Sequence, residues 1–450
     1  MGWLIPLILA GFGVARAEDP GLEIPHVKYT LDNGLDVILS EDHSVPFVQV
    51  NLWYNVGSKD ESPGRSGFAH LFEHLMFQGS LHMDDDYFVP LQRIGAAVNG
   101  TTNTERTNYF EGVPSEQLPL ALWLESDRMG WLLPALTEEK LTNQKDVVRN
   151  ERRQSYEMRP YGEARVWLSA AAYPEGHPYH LTTIGKHEDI EAATLDDVSA
   201  FFSTWYLPNN ATLTICGDFD EAEARALVDR YFADIPAGPE PTHAAVAPVK
   251  LSAETVVRET DDVPLGKVWI AWHTPALFAP GDAELDILSS VLTDGKDARL
   301  YKALVRDSQV AKDVRAYQGS GSLGSLYVIE ATASTGHTTD EVVAAVDQVL
   351  ASLKSAGGPT DDEVAVAKVN WEAAFLQGLE NISSKADLLG MYNTRTGDPG
   401  YLSKDMARYL AVDTAGVKAA LDTWFVPERV VLHVLPKTAE PAPAGTKEAP

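Results

Sequence analysis

The sequence predicts an α+β protein built from two homologous halves, and three observations carry that expectation. Its 450 residues are too many for one ordinary core and suit two domains of roughly 200 residues each. "STWYLPNNATLTICGD" (203 to 218) and "DTWFVPERVVLHVLPK" (422 to 437) share Thr-Trp-aromatic-aliphatic-Pro, mapping Thr204 onto Thr423 with an offset of 219 residues (423 − 204). Between them, "IPAGPEPTHAAVAPVK" (235 to 250) is rich in Pro and Ala and reads as a linker. The expected division is 18 to 236, a linker over 237 to 262, a second half over 263 to 436, and a tail from 437 to 450.

The elements follow in order. An apolar run in "MGWLIPLILAGFGVARAEDPG" precedes Ala15-Arg16-Ala17, a small-x-small site, so residues 1 to 17 read as a secretory signal and the mature chain as periplasmic or secreted. "KYTLDNGLDVILSED" has alternating runs around Asp32-Asn33-Gly34, a hairpin signal, and "VQVNLWYNVGS" reads as another strand. Gly67 to Gln78 follows Pro63-Gly64 and has no interior Gly or Pro, which predicts a helix. Thr137 to Met158 predicts a long helix stopped by Pro160. "TLDDVSAFFSTW" and "DTAGVKAALDTW" read as amphipathic helices, each leading into a strand-like run. The tail "KTAEPAPAGTKEAP" has the composition of a disordered segment.

A formal net charge of −29 argues against nucleic acid or an anionic membrane as partner, since phosphate binding needs a basic face. It is compatible with basic peptides, and equally with a solvated acidic surface. Beyond the leader no run is long and apolar enough to span a bilayer. The single cysteine, Cys216, sits in an apolar strand-like run, so no internal disulfide can form and a buried, inert thiol is expected.

The chemistry concentrates in "GFAHLFEHLMFQGS" (67 to 80). On a helix, residues four apart share a face, so His70 and His74 can present two imidazoles to one ion. Glu73 lies beside them, where a carboxylate could take a proton from a water attacking a carbonyl. Chance alone would produce His-x-x-Glu-His in roughly two chains per hundred of this composition, so the surroundings must decide. Phe68, Leu71, Phe72, Leu75, Met76 and Phe77 surround the trio, and burying it without a partner such as a metal would be costly.

A catalytic zinc usually takes three protein ligands, His₂Glu being one recurring set, so a third acid is needed on another core-facing stripe. In "LTNQKDVVRNERRQSYEM", Leu141, Gln144, Val148, Glu151, Ser155 and Met158 fall on one helical face. Glu151 is the carboxylate embedded in that stripe. Periodicity leaves Glu138, Glu139 and Glu157 as alternatives.

These residues resemble the pitrilysin family of zinc metallopeptidases, which includes insulin-degrading enzyme and the mitochondrial processing peptidase. The likeness runs in order through "SGFAHLFEHLMFQGS", "GAAVNGTTNTERTNYF", "GHPYHLTTIGKHEDI" and "WYLPNNATLTICGDF". It implies two pitrilysin-like α+β domains, each a mainly antiparallel sheet covered by helices, with the second half catalytically inactive. It also implies one Zn²⁺ per chain held by His70, His74 and Glu151, because the family's distal ligand stands 76 residues beyond the second histidine, as here (151 − 74 − 1). Glu73 is the implied catalytic base. Substrate is expected in extended form against a sheet edge, making Asn99, Gly100 and Thr102 candidates for backbone contact; the alternative is that Asn99-Gly100 is merely a turn. His177 and Tyr179 of "GHPYH" are expected to be structural.

Two departures qualify the resemblance. Family members often carry a second glutamate seven residues before the distal ligand, and this chain has Gln144, which can hydrogen-bond but lends no charge. In the second half, active members carry an arginine and, seven residues later, a tyrosine that bind substrate; Arg306 matches, but the later position is Asp313. Some family members split the labour between two chains, and this one looks like the zinc-bearing subunit. The resemblance therefore implies a zinc endopeptidase acting on short or unfolded peptides in an enclosed chamber, with a second pitrilysin-like subunit as heterodimer, or as a homodimer. The rival is a non-catalytic, core-type subunit that scaffolds or binds peptide.

Overall fold

The structure is a computed structural model that describes residues 21 to 437 except position 356. The expected signal segment, and the tail beyond Lys437, lie outside the described residues.

Six strands form the first sheet: β1 (Val27–Thr30), β2 (Asp36–Glu41), β3 (Phe47–Tyr54), β4 (Ala97–Thr102), β5 (Thr107–Pro114) and β6 (Ala211–Gly217). Their order is β1-β2-β6-β3-β5-β4, antiparallel except where β2 meets β6. The second sheet holds β7 (Thr255–Asp261), β8 (Lys267–Thr274), β9 (Ala311–Gly319), β10 (Ser325–Ala333) and β11 (Val430–Pro436). Its order, β7-β11-β8-β10-β9, repeats that of the first sheet without β1, and β11 again runs parallel to one neighbour, β7. The repeat read from the sequence is exact here: β11 starts 219 residues after β6 (430 − 211), and so does the helix Thr414–Trp424 after the helix Leu195–Trp205 (414 − 195). Two α+β halves with mainly antiparallel sheets are therefore the architecture.

One boundary differs. The strand β7 falls inside the span expected as linker, 237 to 262, so the irregular connection ends before Thr255. Its side chains alternate between half-buried and exposed because β7 is an edge strand paired only to β11. Such an edge presents a weak hydrophobic pattern, and a flanking Pro/Ala-rich stretch masks it.

Each sheet buries one face under helices of its own half. On the first, Leu52, Tyr54, Leu213 and Ile215 pack with Phe72, Leu75, Leu122 and Val228. The opposite face is covered by the other half. The helix Ile382–Thr396 lies on β3 and β6, where Ile38 and Cys216 pack with Ala386, Leu389 and Tyr392. Reciprocally, the helix Ala164–Ala172 of the first half lies on β8 and β11, packing Leu168 and Ala172 with Trp269, Val430 and Leu432. Those two helices are also related by the repeat, their starts being 218 residues apart (382 − 164). The exchange buries apolar area on both sheet faces, the largest favourable contribution available to hold two halves together.

Candidate functional site

The histidine helix runs from Phe68 to Leu75, shorter at its C-terminal end than the expected Gly67 to Gln78. Its start is fixed by backbone chemistry. Gly67 takes φ +84°, and a Cβ there would stand 2.9 Å from the Ile184 carbonyl oxygen, so only glycine fits. Instead of a neighbouring Ser or Thr cap, the Glu61 carboxylate accepts from the N–H groups of Gly67 (3.0 Å) and Ala69 (2.9 Å). Sequence reasoning missed this residue, because it reaches the helix start from across a loop.

A second helix, Glu138–Arg152, packs against the first and is capped by Thr137, whose side chain accepts from Lys140 N–H at 3.2 Å. The expected single helix to Met158 instead widens into a π-helical turn over Arg153–Glu157 before Pro160. Leu141, Gln144 and Val148 are buried along the predicted stripe, and Glu151 continues it at the helix end. Among the described residues, His70, His74 and Glu151 form the one group of three whose ligand atoms lie within 4.8 Å of one another. Glu138 and Glu139 lie in the first turn of the helix, away from that group, and Glu157 pairs with His187 at 2.6 Å.

The three atoms are spaced as a tetrahedral ion requires. His70 Nε2 and His74 Nε2 are 3.3 Å apart, and Glu151 Oε2 lies 3.7 Å from the first and 3.4 Å from the second. Bond lengths of about 2.0 to 2.2 Å to zinc make the edges of a tetrahedron about 3.4 Å. The imidazole planes are nearly perpendicular, at 87°, so both nitrogens can aim at one point without the rings stacking.

Electrostatics agree with ligation. Burial, with help from His74, pushes His70 below the ordinary histidine value and keeps it neutral, the form that binds metal. The Glu151 carboxyl is held below its usual value by its hydrogen bond with His74, against some burial. Glu73 moves the other way: burial raises it, opposed by the Thr102 hydroxyl and the His74 charge. A carboxylate raised towards neutrality beside a metal-ligand trio is suited to accept a proton and return it.

The edge strand completes the arrangement. Asn99, Gly100 and Thr102 lie in β4, which excludes the turn reading, and the outer side of β4 is unpaired. Gly100 faces the histidine helix so closely that a Cβ would stand 3.2 Å from Glu73 Cγ and 3.1 Å from the rings of Phe77 and Tyr109. The structure thus brings His70, Glu73, His74, Glu151, Gly100 and Thr102 together. It does not bring Arg306 to them: that side chain is exposed and paired with Asp297 at 2.6 Å and Asp307 at 3.1 Å. Asp313, in β9, accepts from the Thr332 N–H at 3.3 Å. Gln144 is buried on the same helix as Glu151, seven residues before it. Tyr179 instead serves the seam between the halves, donating to Glu105 and accepting from Leu323 N–H at 3.0 Å. Cys216 is buried among the covering helix residues, its thiol pushed up to about 12 by burial.

Comparison with known proteins gives the same picture over most of the chain. Residues 36 to 183 match the family model described as Insulinase (Peptidase family M16), and residues 192 to 370 match the one described as Peptidase M16 inactive domain. The zinc protease PqqE of Helicobacter pylori is 30% identical over 372 residues, covering 82% of this chain and 83% of that one. The chain belongs to peptidase family M16.

Other M16 relatives agree. The mitochondrial-processing peptidase subunit beta of Lentinula edodes is 23% identical over 384 residues, covering 82% of this chain and 80% of its own. Among solved structures, a protease from Helicobacter pylori superposes with a TM-score of 0.86 at 27% identity, covering 92% of this chain and all of that one. The first half of the periplasmic protease PqqL from Escherichia coli shares the fold, with a TM-score of 0.74 at 16% identity and coverage of 91% and 92%. No helix among the described residues is long and apolar enough to cross a membrane.

Proposed function

We propose that this M16 protein is a zinc-dependent endopeptidase that hydrolyses short or unfolded peptides. The observation that carries the reading is the triangle of His70, His74 and Glu151, with edges of 3.3 to 3.7 Å and Glu73 beside it. Zinc, when bound there, would supply Lewis-acid polarisation of the scissile carbonyl. The remaining work falls to the chain. Glu73 accepts the proton of the attacking water and passes it to the leaving amine, a cycle favoured by its burial. The open edge of β4 holds the peptide backbone in extended form, with Gly100 leaving room for it next to Glu73.

A second pitrilysin-like subunit is proposed to close the chamber. Arg306 is engaged by two aspartates, and Asp313 stands where active family members are expected to carry a tyrosine, so a partner would supply those substrate contacts. A periplasmic location is part of the proposal and rests on reading residues 1 to 17 as a secretory signal; PqqL, a periplasmic protease, shares the fold. Gln144 and Asp313 favour the rival reading of a non-catalytic peptide-binding subunit, and one experiment separates the two. The mature chain, alone and with a co-expressed M16-like partner, is assayed on a quenched-fluorescent peptide mixture with zinc quantified in each sample. Hydrolysis that disappears in Glu73→Gln while zinc stays stoichiometric supports the peptidase. Bound zinc without hydrolysis in any sample supports the rival.

A further inference from the structure

A cavity of about 520 Å³ opens on the face of the first sheet away from the histidine helix. Its floor includes Thr101 of β4, Asn108 of β5 and the Arg106 side chain, and its wall includes Phe375 and Met391 from two helices of the second half and Leu379 from the connection between them. Alternation along β4 links this cavity to the candidate active site. Gly100 points at Glu73, whereas Thr101 points the other way, hydrogen-bonding Asn108 at 2.6 Å. A peptide paired to the open edge of β4 lies about 4.8 Å further out and also alternates. The residue next to the one over Glu73 therefore turns its side chain towards the cavity.

The lining sets the chemistry. Asp387 at the base accepts through Oδ1 from Trp53 Nε1 at 3.0 Å, Asn108 at 3.2 Å and Asn51 at 3.3 Å. Arg106, over the Trp53 ring at 5.1 Å, faces Asp387 and offsets its charge. No net charge is left to select a charged group. The wall is mainly apolar, with Ser383 and Ser384 beside Phe375, Leu379, Leu388 and Met391, and Phe375 stacks on Trp371 at 5.1 Å, which stacks on Tyr409 at 3.8 Å. Its volume falls in the range of about 300 to 1,000 Å³ typical of ligand pockets.

Building on the peptidase reading, we propose that this cavity is a side-chain subsite that selects a large aromatic or aliphatic residue of the peptide held on β4, adjacent to the residue lying over Glu73. The net charge of −29 would draw basic peptides to the surface, but the cavity would sort them by bulk.

Gly378 supplies the test, because it lines the cavity and a Cβ there meets nothing within 4 Å, so a larger side chain can be placed at the cavity's rim without a clash. Paired peptides differing only by Phe or Ala at the subsite position are compared for kcat/KM with the unsubstituted chain and with Gly378→Phe, in the subunit combination that is active. Affinities of the same pair for the zinc-loaded Glu73→Gln chain, with and without Gly378→Phe, are measured in parallel. A Phe preference of about tenfold or more is expected, since several buried methylene-sized groups are involved, and its collapse to within about twofold in Gly378→Phe. A preference that survives the filled cavity, or one for a charged residue at that position, overturns the subsite. If no sample hydrolyses peptide, the peptidase reading fails separately, and the affinity ratios decide the cavity: a Phe preference lost in Gly378→Phe supports it, and an unchanged ratio overturns it.

Discussion

At the residue scale, two side chains are expected to separate metal binding from turnover. Glu73→Gln keeps the shape of the site and removes the proton acceptor, so zinc content should stay near one per chain while kcat falls by about 10³-fold, measured by mass spectrometry of the metal and peptide hydrolysis. His74→Ala removes a ligand, and zinc should be lost on dialysis. Zinc should also raise the thermal midpoint of the unsubstituted chain, by up to about 4 kcal/mol of stabilisation at a thousandfold excess over its dissociation constant, and not that of His74→Ala. The trio on the histidine helix was legible because positions 70, 73 and 74 are bound together by helical periodicity alone. Glu151 was legible as the acid embedded in a periodic stripe, with the family spacing choosing it over Glu138, Glu139 and Glu157. Glu61 was not, since it reaches the helix start across a loop, and only the fold brings its carboxylate to Gly67 N–H.

At the element scale, the site depends on two backbones passing close together. Gly100→Val would drive a branched side chain into Glu73, Phe77 and Tyr109, where a single Cβ already stands within 3.2 Å. Peptide affinity for the zinc-loaded Glu73→Gln chain should fall at least tenfold in the added variant, with zinc retained; unchanged affinity would remove β4 from substrate binding. Gly67→Ala meets the Ile184 carbonyl and a left-handed backbone, and should cost about 2 kcal/mol, lowering the thermal midpoint by several degrees. The helices were well marked by caps and apolar stripes. The edge strand β7 and the π-helical turn after Arg152 were not, because a half-exposed edge has little pattern and a widened turn has no sequence signature.

At the scale of the whole molecule, Glu105 links the hairpin carrying β4 to the second half. It pairs with Lys59 at 3.3 Å and Arg395 at 3.2 Å and accepts from Ser322 Oγ at 2.8 Å and Tyr179. Burial opposes its ionisation, but these partners win and hold the carboxyl at about 2, against an ordinary 4.5. A depressed carboxyl stabilises the fold above its unfolded value, and that contribution is lost as pH falls from about 4.5 towards 2. Glu105→Gln should therefore be less stable than the unsubstituted chain by on the order of 2 to 3 kcal/mol at pH 7, with the gap narrowing below about pH 4.5 and closing as pH approaches about 2, read from denaturant unfolding at each pH. A gap independent of pH would mean that the charge contributes nothing.

The sequence by itself determined the number of halves, the chemistry of the histidine helix and the family likeness, because those are written in short spacings and in one long repeat. Tertiary structure alone decided that Glu61 caps the histidine helix, how Gly100 meets Glu73, and that each half lends a helix to the other's sheet. Those facts depend on distances across a loop or between residues tens to hundreds of positions apart. Local propensity does not encode such distances; the burial of both sheet faces fixes them.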